Sequence, residues 1–305
     1  MERYRKKPLL GMLVLLAATL IWGLAYTAQS NAMQYMEVLT YSCVRVLAGG
    51  AALIPVAALA WKRSPSRRNA EPVTNRTVMG LSLKGGVIIG FFMCGAMVLQ
   101  QYGIAMSSVG KSGFLTALYI VLVPVIGVLF GRKITWIAAS CVVIAVAGSY
   151  FLCVKGDFTI ETGDWMLIGD AVLFAFQILF IDRYLYKGAD PVIMTCIEFW
   201  TAGLLLVLPM FLFESPSWNG IRSGWLTILY AGVVSGAVGY TLQMIGQREM
   251  EPTAASLVMS LESVFAALFG WLLLKEHLSG RELFGCALVF LAVILSQVPA
   301  GKRES

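Results

Sequence analysis

Ten runs of mostly apolar residues, each close to the length that crosses a lipid bilayer, constrain this chain more than any other feature. They fall at 8–29, 38–61, 79–102, 109–130, 134–154, 165–183, 190–213, 222–246, 252–274 and 279–299. About 20 residues of helix, rising 1.5 Å each, cover a hydrocarbon core about 30 Å thick. Lipid offers the backbone no hydrogen-bond partners, so such runs are expected to pair their own N–H and C=O groups as helices. Composition agrees: 58% of the 305 residues are hydrophobic and 13% are charged, against about 45–50% and about 25% in an ordinary soluble domain. The expected fold is an all-α integral membrane protein of ten transmembrane helices.

The net charge of +6 does not point to nucleic acid. The basic residues form no face and are not interleaved with stacking aromatics. They sit in short connectors, where they set orientation. With the N-terminus inside, sixteen Lys and Arg fall in inside segments and five in outside segments, Lys111, Lys155, Arg222, Lys275 and Arg281. That asymmetry follows the positive-inside rule. It predicts a multi-pass protein of a bacterial-type inner (plasma) membrane, with both termini cytoplasmic. The basic stretch Met1–Lys7 ahead of an apolar run imitates a signal peptide. A signal core is only about 7–15 residues, however, so the first run reads as a retained span. Asn75-Arg76-Thr77 matches a glycosylation sequon but lies in an inside connector.

No metal or cofactor is expected. The six cysteines show no CxxC spacing and His277 is the only histidine, so the cysteines read as small buried hydrophobes. Gly110-Lys111-Ser112 mimics the end of a phosphate-binding loop, but the glycine required five residues earlier is Ala105.

Short matches recur in order along the chain. Leu99-Gln100-Gln101-Tyr102-Gly103 is echoed by Leu242-Gln243-Met244-Ile245-Gly246, Cys43-Val44-Arg45 by Cys196-Ile197-Glu198, and Leu129-Phe130-Gly131 by Leu268-Phe269-Gly270. They divide the chain into five-helix units, 1–154 and 165–299, joined by a polar connector at 155–164. Five is odd, so the second unit is expected to enter the membrane inverted. Inverted repeats mark secondary carriers, whose binding sites lie near mid-membrane between the units.

Further motifs point the same way. Ile21-Trp22-Gly23 with Arg45, and Gly110–Thr116 running to Val123-Pro124-Val125, resemble the drug/metabolite transporter superfamily of EamA type. So do Gly239-Tyr240-Thr241-Leu242-Gln243, Pro252-Thr253-Ala254-Ala255, Leu261–Ala267 and Lys275-Glu276. The resemblance spans nearly the whole chain. It implies a ten-helix carrier with inverted repeats whose substrate is a small metabolite, an amino acid or a related compound, with export as the direction. Ser263 departs from the proline that often follows the glutamate in that family, which predicts a straighter ninth helix.

Charges within spans are costly and mark candidate sites. Arg45 and Glu198, at matching places with opposite signs, are candidates for gating or coupling; each also reads as an inert structural group. Glu262 lies off the small-residue seam Ser256, Ser260, Ser263, Ala267 and Gly270 of its helix. It is a candidate for substrate binding or for a coupling proton, against the reading of a carboxylate locked to its neighbours. Trp22, Tyr26 and Gln29 form one aromatic-polar stripe, and Asp170, Phe174 and Gln177 another. Stripes of this kind suit a small-molecule cavity but also suit plain packing. Asp170 is expected near the outer end, as a coupling group or a solvated one. Gln100 and Gln243 are candidate ligand groups, and Lys111 either attracts an anion or snorkels to headgroups. The cavity is expected among the first, third, fourth, sixth, eighth and ninth helices. A lipid-linked flippase or small partner subunit is the main alternative. An intramembrane enzyme lacks clustered catalytic groups.

Overall fold

The computed structural model describes residues 7–63, 75–107, 109–154, 160–274, 277 and 279–296, and all regular structure among them is helical. Among the described residues, nine helices are long and apolar enough to span a membrane: α1 Pro8–Ala32, α2 Val38–Lys62, α3 Arg76–Met106, α4 Lys111–Leu129, α5 Trp136–Cys153, α6 Thr162–Tyr186, α7 Pro191–Phe213, α8 Trp225–Glu249 and α9 Pro252–Phe269. The tenth expected run, 279–299, contains α10, Gly280–Ser296, of 17 residues; 297–299 lie outside the described residues, as do the basic stretch 1–6 and connector residues 155–159.

The chain marks the helix ends chemically. Asp190 accepts from the N–H groups of Val192 and Ile193 at 3.0 and 3.1 Å, ahead of Pro191. Glu161 and Asp164 form a reciprocal capping box at α6. These satisfy donors that a helix start leaves without partners. Gly188 stops α6 at φ 101°, a left-handed conformation that glycine adopts without a Cβ clash. Glu214, just past α7, accepts from Leu39 N at 2.7 Å, Thr40 N at 2.6 Å and Thr40 Oγ1 at 2.8 Å. One carboxylate thereby ties the start of α2 to the end of α7.

Helices pack in a pattern that repeats when the first five are exchanged for the last five. α2 lies on α7 and α5 on α10; α3 lies on α6 and α7, while α8 lies on α1 and α2. Two crossings match in detail. A Cβ on Gly103 would stand 3.1 Å from the carbonyl of Gly163 and collide with Leu167; one on Gly246 would stand 3.0 Å from the carbonyl of Gly11 and collide with Leu15. Leu15 and Leu167 are both fully buried. Backbones therefore touch at each crossing, as small residues permit in membranes. Large apolar side chains such as Leu208, Phe211 and Leu212 of α7 instead point outward, as lipid contact requires.

Four helices are irregular at their middles. α1 breaks at Leu24, α4 between Thr116 and Tyr119, and α9 at Ser260, while Tyr230–Tyr240 of α8 is π-helical. The ninth helix, expected to be straighter for want of a proline at Ser263, is interrupted at Ser260. The hydroxyls of Ser256, Ser260 and Ser263 donate back to the carbonyls of Thr253, Leu257 and Ser260 at 2.8, 2.7 and 2.9 Å. Such back-bonding competes with the helical ladder, and it lies where the helix is interrupted at Ser260.

The paired crossings predict matched sensitivity. Gly246→Leu and Gly103→Leu should each lower stability by about 1–3 kcal/mol through overpacking, seen as a lower melting temperature of detergent-purified protein. Unchanged melting in both would remove the close-approach account.

Candidate substrate cavity

The irregular segments surround one internal cavity of about 50 Å³. α1 contributes Trp22, Tyr26 and Gln29; α3 and α4 contribute Gln100, Thr116 and Tyr119; α6 contributes Phe174 and Ile178. α8 contributes Ser235, Tyr240 and Gln243, and α9 contributes Met259 and Glu262. These are the six helices expected, and α2 joins them through Arg45.

The breaks position these groups. Interrupting α1 frees the carbonyl of Ile21, which accepts from the Tyr230 hydroxyl at 2.6 Å. In the π-helical stretch the carbonyl of Ser235 accepts from the Trp22 indole at 3.0 Å. Two helices are thereby stitched together through backbone groups, and Trp22 is held with its ring 5.2 Å from that of Tyr240. Phe174 lies 6.5 Å from Tyr240 and Phe199 5.5 Å. Tyr240 is thus the hub of an aromatic wall.

Glu262 faces the cavity, 6% exposed, and its Oε1 accepts from Tyr119 at 3.3 Å and, at a longer 3.5 Å, from Tyr26. Both donors are neutral phenols, and no cation pairs with Glu262 among the described residues. Arg45, 4% exposed, sits with its guanidinium 5.2 Å above the Tyr41 ring.

The remaining sequence candidates lie behind the wall. Asp170 was expected near the outer end with solvation as one reading; it is fully buried, and Oδ2 accepts from Thr116 at 3.0 Å and Gln100 at 3.4 Å. Gln177 donates to Glu198 at 2.5 Å, both fully buried between α6 and α7. The stripe Asp170, Phe174, Gln177 therefore fans out: its centre meets the cavity and its flanks bond to neighbouring helices. Lys111 is not in the lining either. It pairs with Asp164 at 2.5 Å, so α4 is tied to α6 at this end, and Arg132 with Asp182 at 2.6 Å ties them at the other. Sequence reasoning missed Tyr119 and Thr116 as site residues, and it used Tyr240 only as part of a motif. Nothing in their local spacing distinguishes them from packing residues.

With this architecture established, comparison with known proteins is decisive on family. The EamA-like transporter family model matches residues 9–154 and again 161–297. The chain belongs to the EamA-like transporter family. It is 26% identical over 292 residues to an uncharacterized transporter of Archaeoglobus fulgidus, covering 95% of this chain and 86% of that protein. It is 21% identical to the uncharacterized transporter YoaV of Bacillus subtilis, covering 96% and 98%. A shorter match, 32% identical over 91 residues, joins 27% of this chain to 77% of a probable 4-amino-4-deoxy-L-arabinose-phosphoundecaprenol flippase subunit, ArnE, of Pseudomonas fluorescens. A solved crystal structure of 16% identity superposes with TM-score 0.75, covering 97% of this chain and 99% of that one, and shares the fold. This EamA-like transporter is a multi-pass membrane protein, and its family is one of transporters.

The tie between α4 and α6 gives a sign prediction. The Asp164 side chain is 1% exposed and that of Lys111 18%. Lys111→Met leaves a buried carboxylate with its hydrogen bonds from Glu161 N and Ser107 Oγ but no countercharge, and should cost about 3 kcal/mol. Asp164→Asn leaves a lysine able to reach water and should cost about 1 kcal/mol. Melting temperatures in detergent check the order, and the reverse order would discard the pairing account.

Proposed function

We propose that this transporter is a secondary carrier moving a small polar or amphipathic metabolite, an amino acid or related compound, outward by alternating access. The observation that carries the reading is a hollow among the helices that break, which presents both a guanidinium and a carboxyl within an aromatic frame. Carrier sites combine these elements: discontinuous helices, a few polar groups and an apolar wall. Trp22, Tyr26, Gln100, Phe174, Gln243 and Glu262 contact the substrate. Lys111 and Gln177 act from behind the wall, through Asp164 and Glu198.

The two five-helix units, 1–154 and 165–299, act as inverted repeats that rock about this hollow, with both termini in the cytoplasm of an inner-type membrane. The repeated helix packing and the matched glycine crossings support that symmetry, as does the double match of the family model. Arg45 and Glu198 occupy equivalent places with opposite charge and hold contacts that differ between the two states, with Asp170 in the same set. Glu262, bonded only to phenols, is where a substrate ammonium and a coupling proton compete.

Lipid transport is the second reading, favoured by the partial match to a flippase subunit. A cavity of about 50 Å³ has room for a few waters, which suits a small solute admitted by helix separation better than a lipid headgroup.

Counterflow in proteoliposomes, run with a panel of single labelled amino acids, tests the carrier. At least one should exchange. Glu262→Gln should reduce that exchange by about tenfold or more, as expected for loss of one charge-assisted contact. Passage of labelled lipid with no amino-acid exchange would sink the proposal in favour of the flippase.

A further inference from the structure

Arg45 carries a feature that neither helix packing nor gating accounts for. It is 4% exposed, yet two of its nitrogens, Nε and Nη2, are buried without a hydrogen-bond partner. These are the two N–H groups that point the same way from one edge of the planar guanidinium, the fork that grips both oxygens of a carboxylate. No ion pair to Arg45 occurs among the described residues, and its nearest neighbour of note is the Tyr41 ring beneath it. A buried charge without a partner is costly, and native proteins rarely tolerate one unless something fills the gap.

The backbone holds this edge in place. The carbonyl of Arg45 lies so close to Gly232 of α8 that a Cβ on that glycine would collide with it. α2 and α8 are therefore in backbone contact where Arg45 enters the cavity wall. The cation–π contact with Tyr41, one turn earlier on the same helix, supports the guanidinium from one face. Its open edge is thus fixed by packing rather than left to rotate.

We infer that the Nε/Nη2 edge of Arg45 is the binding site for a carboxylate group of the transported solute. The surrounding charge selects this anion over a phosphoryl group. Glu262 lines the same cavity as Arg45, while Asp170 and Glu198 lie behind its wall on Thr116, Gln100 and Gln177, so one guanidinium shares the cavity with one facing carboxyl. A doubly charged phosphoryl group would meet a single base and a facing carboxyl. A planar carboxylate of charge −1 fits the fork, and an ammonium on the same solute is accommodated by Glu262 across the hollow. Trp22, Phe174 and Tyr240 then enclose the apolar remainder. The solute class is an α-amino acid or similar zwitterion with a short apolar side chain. This deepens the carrier reading and rests on it for the identity of the cavity, while binding to Arg45 is measurable without transport.

The test uses the full chain purified in detergent, with melting temperature and calorimetric titration as readouts. Probes are the labelled-panel amino acids, their carboxamides, which lack the anion, and simple monocarboxylates such as 4-methylpentanoate, which lack the ammonium. At least one acid should bind the wild type and its amide should bind about 10- to 100-fold more weakly, the loss expected when charge-assisted bonds to one group disappear. Arg45→Gln should abolish the difference between acid and amide, and Arg45→Lys should retain part of it. Because two buried N–H groups of Arg45 have no hydrogen-bond partner, Arg45→Gln should melt at or above the wild-type temperature, which also shows that the variant folds. Three results overturn the inference: no carboxylate on the panel binds, the amide binds as well as the acid, or Arg45→Gln binds the acid as the wild type does. Arg45-dependent binding without counterflow would instead refute the amino-acid carrier reading and leave the anion site standing.

Discussion

The structure depends on one constraint: a polar hollow inside lipid has to be built by a backbone that keeps its own polar groups paired. Straight helices satisfy themselves but present only side chains. This chain interrupts α1, α4 and α9 and rewinds part of α8, which exposes carbonyls at mid-helix. It then satisfies two of them from a neighbouring helix: Tyr230 donates to Ile21 and Trp22 to Ser235. The breaks are tolerated because they face protein and cavity rather than hydrocarbon. The same bonds fix the aromatic wall, so backbone satisfaction and site construction are one arrangement.

Around that hollow the frame is duplicated while the polar content is not. Gly103 on Gly163 and Gly246 on Gly11 form the same crossing twice, each beside a fully buried leucine. Trp22 and Phe174 lie at corresponding turns and both line the cavity. The charges diverge. Arg45 faces the hollow, whereas Glu198 is turned into the α6–α7 interface toward Gln177. Gln243 lines the cavity alone, whereas Gln100 lines it and also reaches Asp170. Repeated backbone contacts give two similar halves; unequal side chains give the enclosed space a direction and a chemistry.

Much of the fold was legible because hydrophobicity in lipid is nearly a one-body property: a run of about 20 apolar residues specifies a helix whatever its neighbours are. The site was legible only where one helix suffices to decide it. Glu262 lies off the serine seam of α9, which is a statement about α9 alone, and it does face the cavity. Asp170 and Gln177 share a stripe with Phe174, but which of the three meets open space depends on where α3, α4 and α7 pack against α6. Sequence spacing supplies an angle around one axis and not the position of the next. Tyr119, Thr116 and Tyr240 were opaque for the same reason, since tyrosine and threonine in apolar helices look alike whether they pack or line a cavity. The interruption of α9 was opaque differently: a missing proline suggested a straighter helix, and serine hydroxyls that bond back to its carbonyls surround the break at Ser260 instead.

Hydrogen-bond lengths differ between the charged ties at the periphery and the contacts of Glu262 in the cavity. Contacts that tie helices at the periphery are short and charge-assisted: Lys111–Asp164 at 2.5 Å, Arg132–Asp182 at 2.6 Å and the Glu214 carboxylate on Thr40 N at 2.6 Å. The contacts of Glu262 are long, Tyr26 and Tyr119 reaching it at 3.5 and 3.3 Å, whereas Trp22 on Ser235 and Thr116 on Asp170 are each 3.0 Å. Bonds near the upper limit contribute little and are exchanged at little cost. A cavity of about 50 Å³ must widen to admit any solute larger than a few waters. The short charged pairs lie in the frame, and the long bonds to Glu262 lie at the cavity.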